Sequence, residues 1–404
     1  MRKGKKAFVL GLLLVIIIAA AYCGYCIFRP ITIPAPLLST RTVTPSTKSQ
    51  IQWPTIGQSA VGIMGSPSVV TSGTQTPTPT ASVAKLITSL LVLKVKPLSV
   101  GQQGPTITLS ASDAAIYDHY VAEQGSVVPV VAGETITEYQ MLEAMLLPSA
   151  NNMADSLAIW AYGSLSAYQQ AANSYLVEQG LSQTHVGVDA SGFDPSTTST
   201  AHDLVKLGEL ALSNPVLAQI VAQPSATGVP LTTSVRNINS LLGKDGVIGI
   251  KTGNTTQAGG VFVSASQTTV GSKTVTIVTA LAGAPTLATA LSASVPFLQS
   301  THANFEPMTL FTNGTTVGNY PLPWGGSVPV TTPDDVSVTA WNNSPVSVSM
   351  ELLPLKSDTS PGVIAGNLLV QQQPNLDTES SQLNLLSTIP QPSLRWRLMH
   401  PFNS

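Results

Sequence analysis

The chain has 404 residues, of which 43% are hydrophobic, 9% are charged and 5% are aromatic, and its formal net charge is −2. This length predicts two or three domains, since a domain averages roughly 100–200 residues. Low charge with high hydrophobicity is the opposite of a disordered composition, so most of the chain is expected to fold. A near-neutral balance, without a Lys/Arg run beyond the extreme N-terminus, argues against nucleic-acid binding.

The first predicted element is an apolar segment at the N-terminus. Residues 1–6 form a short basic tail, and residues 7–28 carry no charge. About 20 apolar residues span a bilayer as a helix, and a basic flank stays in the cytoplasm. We therefore expect a transmembrane signal-anchor in the bacterial cell membrane, with the rest of the chain extracytoplasmic. A cleaved signal peptide, which would leave the protein secreted, stays open because small residues at 19–21 resemble a cleavage site.

The cysteines and histidines give no sign of a metal or redox centre. The only cysteines, Cys23 and Cys26, lie inside the apolar segment, so the exported part has no disulfide framework. Tyr22 stands where a lipoprotein signal requires a small residue, which favours inert membrane cysteines over lipidated ones. The histidines are scattered and form no HxxxH pair. We expect neither a metal nor another cofactor.

Four segments follow in chain order. Residues 29–56 are rich in Pro, Thr and Ser and are expected to form an extended linker. Residues 57–303 place helices in the middle and antiparallel strands late, which predicts one α+β domain. Residues 304–390 show short β-like runs separated by Gly, Pro and Asn turns, which predict a small all-β domain. Residues 391–404 form a basic and aromatic tail.

Within the α+β domain, apolar periodicity predicts the individual elements. The predicted helices are 82–93, 137–160 (interrupted near its middle), 167–179 and 200–212, and the predicted strands are 247–252, 259–265 and 274–281.

The first chemical motif opens the first of these helices. Ser82 and Lys85 stand three positions apart, so they share one helix face. In the first turn, the Ser82 hydroxyl would lie beside free backbone N–H groups and the positive end of the helix dipole. A lysine can activate a serine only if burial or a nearby cation lowers its pKa, and the apolar helix around Lys85 suits that role. In isolation, a helix N-terminus with one snorkelling lysine is the favoured interpretation.

The second motif is Ser149–Ala150–Asn151, directly after Pro148. Because proline interrupts the preceding helix, these residues are expected on a loop between two helices. A hydroxyl and an amide there could relay a proton and hold a substrate carbonyl. In isolation, a turn that caps the next helix is the favoured interpretation.

The third motif is Lys251–Thr252–Gly253, at the end of a predicted strand. A lysine and a hydroxyl offer charge and a hydrogen bond to an anionic substrate group, and the glycine lets a ligand approach the backbone. An ordinary strand-to-turn transition is the alternative.

The order S-x-x-K, S-x-N, K-T-G is that of penicillin-binding proteins and serine β-lactamases. More specifically, the chain resembles the low-molecular-mass D-alanyl-D-alanine carboxypeptidases. The similarity lies in 80–88, 147–152, 200–203, 239–242 and 249–253. It implies an α+β penicillin-binding-protein/β-lactamase-like catalytic domain, with an antiparallel sheet and a helical cluster, followed by a small all-β domain.

The resemblance implies a catalytic role for four residues. Ser82 would attack the carbonyl between the two terminal D-alanines of a peptidoglycan stem peptide, and Lys85 would be its general base. Ser149 and Lys251 would complete the proton relay. β-Lactam antibiotics would acylate Ser82 and inhibit the enzyme.

The resemblance also implies the substrate contacts. Asn151 would bind the peptide backbone, and Thr252, followed by Gly253, would hold the terminal carboxylate. Lys251 would also belong to the substrate-binding residues. The backbone N–H groups of Ser82 and Asn254 would form the oxyanion hole.

Three alternatives compete with a carboxypeptidase. A D,D-endopeptidase that cleaves cross-links would use the same residues and stays open. A serine β-lactamase is disfavoured because Ala150 stands where class A enzymes have Asp, and no E-x-x-L-N element lies between Asn151 and Lys251. A catalytically idle wall-binding scaffold is least favoured, since all three motifs are intact.

Overall fold

The computed structural model describes residues 2–35, 41–43, 50–228, 234–341, 345–372 and 378–401. The chain divides into two compact units. The central unit is Thr47–Glu306, and the terminal unit combines Met1–Ser46 with Pro307–Ser404.

The α-helices of the described residues are α1 (Arg2–Phe28), α2 (Lys85–Val95), α3 (Ala111–Ala122), α4 (Glu138–Leu146), α5 (Asn151–Tyr162), α6 (Leu165–Glu178), α7 (Ala201–Ser213), α8 (Pro215–Val221), α9 (Leu287–His302) and α10 (Leu394–Met399). The strands are β1 (Thr32–Ile33), β2 (Arg41–Val43), β3 (Gln58–Ile63), β4 (Val69–Ser72), β5 (Thr78–Pro79), β6 (Thr106–Thr108), β7 (Thr135–Thr137), β8 (Thr198–Ser199), β9 (Ser225–Ala226), β10 (Val235–Arg236), β11 (Val247–Thr255), β12 (Gly259–Val270), β13 (Lys273–Ala284), β14 (Phe305–Phe311), β15 (Thr316–Pro321), β16 (Ser327–Thr331), β17 (Val336–Trp341), β18 (Val346–Leu352), β19 (Leu355–Lys356), β20 (Ile364–Gln372) and β21 (Thr378–Leu385).

The central unit is built on a five-stranded antiparallel sheet of order β11-β12-β13-β3-β4. Successive side chains of β12 point to opposite faces of the sheet. Because β12 places apolar side chains on both sides, both faces of the sheet are covered. Val261 and Val263 join the main core with the helical cluster, whereas Phe262 packs with Leu281 of β13 and Ala290 of α9.

Helix α2 lies at the centre of the main core. Nine consecutive residues of it, from Lys85 to Leu93, are buried. A helix that is apolar on every side must be surrounded by other elements. In the central unit α2 is surrounded by α4, α5, α6 and α7. It therefore holds the S-x-x-K motif rigidly.

Some helices lie outside the sequence prediction, for local reasons. Helix α3 has only one buried residue, Tyr120, so it carries no apolar stripe and begins instead at a capping box of Ser110 and Asp113. Helix α9 contains Pro296, which argues against a helix when only the sequence is read. The predicted helix 137–160 is two helices, α4 and α5, as the proline between them required.

The terminal unit is mostly β structure. Its main sheet has six strands in the order β15-β16-β21-β20-β18-β2, and β1 pairs with β19. Part of the expected linker 29–56 thus contributes two short strands to this unit, while 36–40 and 44–49 lie outside the described residues. The boundaries 57–303, 304–390 and 391–404 stay predictions.

Helix α1 matches the N-terminal apolar segment. Its stretch Gly4–Phe28 is long and apolar enough to cross a membrane and is the one unbroken helix of the described residues that meets this criterion. A signal sequence has the same length and composition, so the helix fits either a retained anchor or a signal.

Candidate active site

Ser82 lies in a short 3₁₀-helix, Ala81–Ala84, that leads directly into α2. Lys85 is the first residue of α2, and its Nζ lies 2.7 Å from Ser82 Oγ. Ser82 is half-buried and lines a cavity, whereas Lys85 is completely buried. The sequence spacing therefore brings a reachable hydroxyl and a buried amine into contact, as predicted.

Two other groups hold the Lys85 amine. Its Nζ donates to Asn151 Oδ1 at 2.7 Å and to the Ser191 carbonyl oxygen at 3.0 Å. Burial lowers the pKa of Lys85 to about 7, although the charges of Asp189 and Asp155 act in the opposite direction. Near neutral pH a large fraction of Lys85 is therefore unprotonated and able to accept a proton.

Ser149 occupies the turn between α4 and α5, as predicted, and Asn151 begins α5. The backbone of Ser149 has φ 68°, a conformation that non-glycine residues adopt at a cost and that functional sites often retain. Its Oγ accepts a hydrogen bond from Lys251 Nζ at 2.9 Å. Burial, and then the charge of Lys85, lower the pKa of Lys251 well below its usual range. The hydrogen bond between Ser149 and Lys251 thus joins the second motif to the third.

The third motif lies inside a strand rather than at its end. Lys251, Thr252 and Gly253 are in the middle of β11, which is the edge strand of the sheet next to the nucleophile turn. A Cβ at Gly253 would lie 2.8 Å from the Thr80 carbonyl oxygen and 3.2 Å from the Ser82 nitrogen. Only glycine lets the strand approach Ser82 this closely.

The Thr252 hydroxyl has an unusual environment. Its Oγ1 is buried and has no hydrogen-bond partner among the described residues. Leaving a buried polar group unpaired costs about 1–3 kcal/mol. Strand β11 thus holds a buried hydroxyl without a hydrogen-bond partner in the described part of the chain, two residues before Asn254.

A cavity of about 990 Å³ opens in front of Ser82. Among the predicted site residues, Ser82, Asn151 and Asn254 line it. The other predicted residues are not part of this lining: Lys85, Ser149, Lys251, Thr252 and Gly253. The Asn254 side chain accepts a hydrogen bond from the Leu287 N–H at 3.3 Å through Oδ1. The cavity is as large as typical small-molecule sites, which range over about 300–1,000 Å³.

Sequence reasoning missed a buried acidic network below Lys85. Tyr120 donates to Asp155 Oδ2 at 2.7 Å, and Asp155 Oδ1 accepts from the Ala190 N–H at 2.9 Å. Asp189 Oδ1 accepts from the Ser191 N–H at 2.7 Å, which fixes the loop whose carbonyl contacts Lys85. Burial, followed by the charge of Asp189, raises the pKa of Asp155 to about 6.

One signal for this network was available in the sequence. Asp155 follows Asn151 by four residues, so both lie on one face of α5, and a carboxylate there is unusual in so apolar a helix. The Asp189 loop gives no such signal. Gly192 in that loop has φ +71°, and a Cβ there would lie 2.1 Å from the Ala81 carbonyl oxygen. This close approach is decided by the tertiary structure.

Two curated proteins match the chain. It is 38% identical over 149 residues to D-alanyl-D-alanine carboxypeptidase DacB2 of Mycobacterium tuberculosis, covering 34% of this chain and 49% of the relative. It is 29% identical over 212 residues to a D-alanyl-D-alanine carboxypeptidase of Streptomyces sp. strain K15, covering 48% of this chain and 70% of the relative. The chain thus spans about half the length of the first of these relatives.

A solved structure establishes the fold. Penicillin binding protein 5 from Haemophilus influenzae superposes with a TM-score of 0.59 at 20% identity, covering 86% of this chain and 100% of that chain. This similarity confirms the predicted α+β penicillin-binding-protein fold.

The profile of the D-alanyl-D-alanine carboxypeptidase family, peptidase S11, matches residues 66–283. This range is more than half of the chain and contains all three motifs together with the cavity in front of Ser82. The chain therefore belongs to the D-alanyl-D-alanine carboxypeptidase family of serine peptidases.

Proposed function

We propose that the protein is a serine-type D-Ala-D-Ala carboxypeptidase that trims the terminal D-alanine from peptidoglycan stem peptides. The observation that carries the proposal is the 2.7 Å contact between Ser82 Oγ, at the cavity, and the buried Nζ of Lys85. A serine becomes a nucleophile when an adjacent base takes its proton, and a lysine with a pKa of about 7 can act as that base.

Acylation follows from this geometry. Ser82 Oγ attacks the carbonyl carbon of the penultimate D-alanine, and its proton passes to unprotonated Lys85. The oxyanion is held by the backbone N–H groups of Ser82 and Asn254, and one such donor is worth about 3–4 kcal/mol. The position of Gly253 against the Ser82 nitrogen supports this pairing.

Collapse of the intermediate breaks the carbon–nitrogen bond of the peptide. Ser149, hydrogen-bonded to Lys251, passes its proton to the nitrogen of the departing D-alanine. The proton that Lys85 took from Ser82 then replaces the one that Ser149 gave, so Lys85 is again unprotonated for the next step. Asn151 holds the peptide backbone at the cavity wall. Water then hydrolyses the ester, which releases the shortened peptide and restores the Ser82 hydroxyl.

The proposed partners follow from this chemistry. Stem peptides enter the cavity, and β-lactams acylate Ser82 because a cyclic amide with a neighbouring carboxylate imitates the D-Ala-D-Ala terminus. We place the enzyme at the bacterial membrane, with α1 as its anchor and the central unit on the extracytoplasmic side. The length and composition of α1 support that placement.

Release of D-alanine from a synthetic pentapeptide tests the proposal. We expect the full-length protein in detergent to release one D-alanine per peptide and to be inhibited by penicillin, with the penicilloyl adduct on the peptide that contains Ser82. A cross-linked dimer of stem peptides is the second substrate. Cleavage of the dimer without release of D-alanine from the pentapeptide would establish the endopeptidase and contradict the carboxypeptidase.

The rate of acylation should depend on pH. Below about 7, Lys85 is protonated and cannot accept the Ser82 proton, so the rate constant for penicillin labelling should fall about tenfold per pH unit there and level off above. Asp155 and Asp189 face Lys85, and Lys251 lies nearby. The measurement is labelling from pH 5 to 9, with circular dichroism as the control for folding. A rate independent of pH across this range would exclude Lys85 as the base.

Replacing Thr252 by valine should separate substrate binding from folding. The change removes a buried hydroxyl that has no partner among the described residues, so the free energy of unfolding should not fall. If the hydroxyl binds the terminal carboxylate, kcat/KM for the pentapeptide should drop about 10- to 100-fold, since a hydrogen bond to a charged group is worth about 1.5–3 kcal/mol. Thr269→Val, at an exposed position of β12 outside the lining of the cavity, is the control. Unchanged turnover in Thr252→Val would refute the carboxylate contact.

A further inference from the structure

The C-terminal helix α10 lies against the end of α1, although they are separated by most of the chain. Arg397 is 6% exposed, and its Nη1 donates to the backbone carbonyl oxygens of Ile27 and Arg29 at 2.9 and 3.0 Å. A third, longer contact reaches the Cys26 carbonyl oxygen at 3.4 Å. The last carbonyl groups of a helix lack partners within it and carry the negative end of its dipole. Arg397 therefore caps α1 from a distant part of the sequence.

Further contacts join the two helices. Tyr22, on α1, donates from its hydroxyl to the Leu398 carbonyl oxygen at 3.0 Å. The Arg29 guanidinium donates to the His400 carbonyl oxygen. Cys26 is completely buried, in contrast to the exposed apolar residues that make up most of α1. Each helix thus donates hydrogen bonds to the backbone of the other.

The chain that leaves α1 enters the fold of the terminal unit at once. Ile31 and Ile33 are buried, and the Ile31 carbonyl oxygen accepts from the Ser357 N–H at 3.0 Å. Strand β1 then pairs with β19. Ile31 is only three residues beyond Phe28, a span of at most about 10 Å. The end of α1 is therefore fixed to the β structure without a free tether.

Exposed apolar side chains lie in the segments next to β19, in the same unit as the end of α1. Leu353, Val363, Ile364 and Leu386, which we call the apolar rim, are between 41% and 55% exposed. Leu353 lies two residues before β19, and its N–H donates to the Ala365 carbonyl oxygen at 2.8 Å. Backbone hydrogen bonds thus hold the rim segments together, and Leu353 stands two residues before the strand that pairs with β1.

Aromatic residues lie at the same end of the unit. Trp396 stacks on His400 with ring centroids 4.6 Å apart and meets Trp324 edge-on at 5.5 Å. Tyr25 and Phe28, in the last turns of α1, are exposed. Tyrosine and tryptophan concentrate where proteins pass from the acyl chains to the headgroups of a bilayer.

We propose that the terminal unit rests on the outer surface of the lipid bilayer through the apolar rim, with α10 clasping the anchor where it leaves the membrane. The bilayer is the partner that fits, because Leu353 of the rim stands two residues before the strand that pairs with the chain leaving α1, and α1 is long and apolar enough to cross a membrane. The inference rests on the proposed anchoring and not on the peptidase chemistry. It requires α1 to be retained, since cleavage after Phe28 would remove the Cys26 and Ile27 carbonyl groups that Arg397 binds.

Depth measurements with spin labels test the rim. Single cysteines replace Ile364 or Leu386 in full-length protein carrying Cys23→Ala and Cys26→Ala, reconstituted in vesicles of phosphatidylethanolamine and phosphatidylglycerol. Leu369 is the matched control, an exposed leucine five residues along β20 and about 16 Å from Ile364. We expect oxygen to increase the spin relaxation rate of the two rim labels several-fold more than a water-soluble nickel complex does. At position 369 we expect the nickel complex to have the larger effect. Rim labels as water-accessible as the control would overturn the docking.

Hydrogen exchange tests the clasp. In the same vesicles, Arg397→Ala should accelerate exchange about tenfold or more across 29–33 and 394–400, since each hydrogen bond to a charged group is worth about 1.5–3 kcal/mol. Arg395→Ala, on the same helix but exposed, should leave it unchanged. Equal exchange in the two variants would overturn the clasp. The intact mass of membrane-extracted protein distinguishes failure of the clasp from failure of the anchoring. Loss of the first 28 residues would contradict the anchoring itself while leaving penicillin labelling in place.

Discussion

Ser82→Ala protein is expected to show no covalent labelling by a fluorescent penicillin and no release of D-alanine. The variant removes the only hydroxyl that lies both at the cavity and 2.7 Å from the buried Lys85 amine in the described part of the chain. The other serine and threonine hydroxyl groups in the described lining of the cavity, those of Ser126, Thr255 and Thr256, do not contact the Lys85 amine, so the loss should be complete. Because Ser82 is half-buried and the change removes a single oxygen, the thermal midpoint should remain close to that of the unmodified protein.

Ser89→Ala provides the control. Ser89 lies on α2 one turn beyond Lys85, and its Oγ donates to the Lys85 carbonyl oxygen at 2.6 Å. This hydroxyl is buried and does not line the cavity in front of Ser82, so the variant should label at close to the normal rate. Penicillin labelling that survives Ser82→Ala, located by peptide mapping to another residue, would remove the basis of the proposed mechanism.

Lys85→Ala should reduce the rate of acylation by about 10²- to 10⁴-fold, the range that general-base catalysis contributes. The fold should persist, because the change removes a buried amine whose desolvation is unfavourable. It leaves Asn151 Oδ1 and the Ser191 carbonyl oxygen without their Lys85 donor. The measurements are the labelling rate constant at pH 8 and the thermal midpoint, made on the same preparation.

Lys94→Ala is the matched control for this second result. Lys94 lies on the same helix but pairs with Glu178 at the surface, with both side chains at least half exposed. Such a pair contributes only about 0–1 kcal/mol, so neither rate nor stability should change appreciably. Equal labelling of the Lys85→Ala and Lys94→Ala proteins would show that another group takes the Ser82 proton.

The functional motifs were predictable from sequence because the residues within each motif lie only a few positions apart. Ser82 and Lys85 meet since a three-residue separation places both on one helical face, and this holds in the 3₁₀-to-α junction that the structure shows. Pro148 predicted the break that leaves Ser149 in a turn. The buried helix α2 also followed from its composition. Local rules of this kind depend only on neighbouring residues.

Strand boundaries were less predictable. The K-T-G motif was expected at a strand end because it follows the apolar run 247–250 and the turn-rich segment 253–258 begins at its glycine. The structure continues β11 to Thr255, since Gly253 pairs with Val261 on one side while its missing side chain admits the nucleophile turn on the other. The reason for the glycine lies in a segment more than 160 residues earlier, which no local pattern reveals.

By itself, the sequence determined the three motifs, the apolar N-terminal helix and the succession of an α+β region and a β-rich region. Only the tertiary structure decided what surrounds Lys85. The Asp155 and Asp189 network, the Ser191 carbonyl and the Lys251–Ser149 contact come from separate segments. Burial by these segments lowers the pKa of Lys85 to about 7, against the opposing charges of Asp189 and Asp155. A buried charge is retained only where partners from distant segments converge on it, and convergence is a property of the fold.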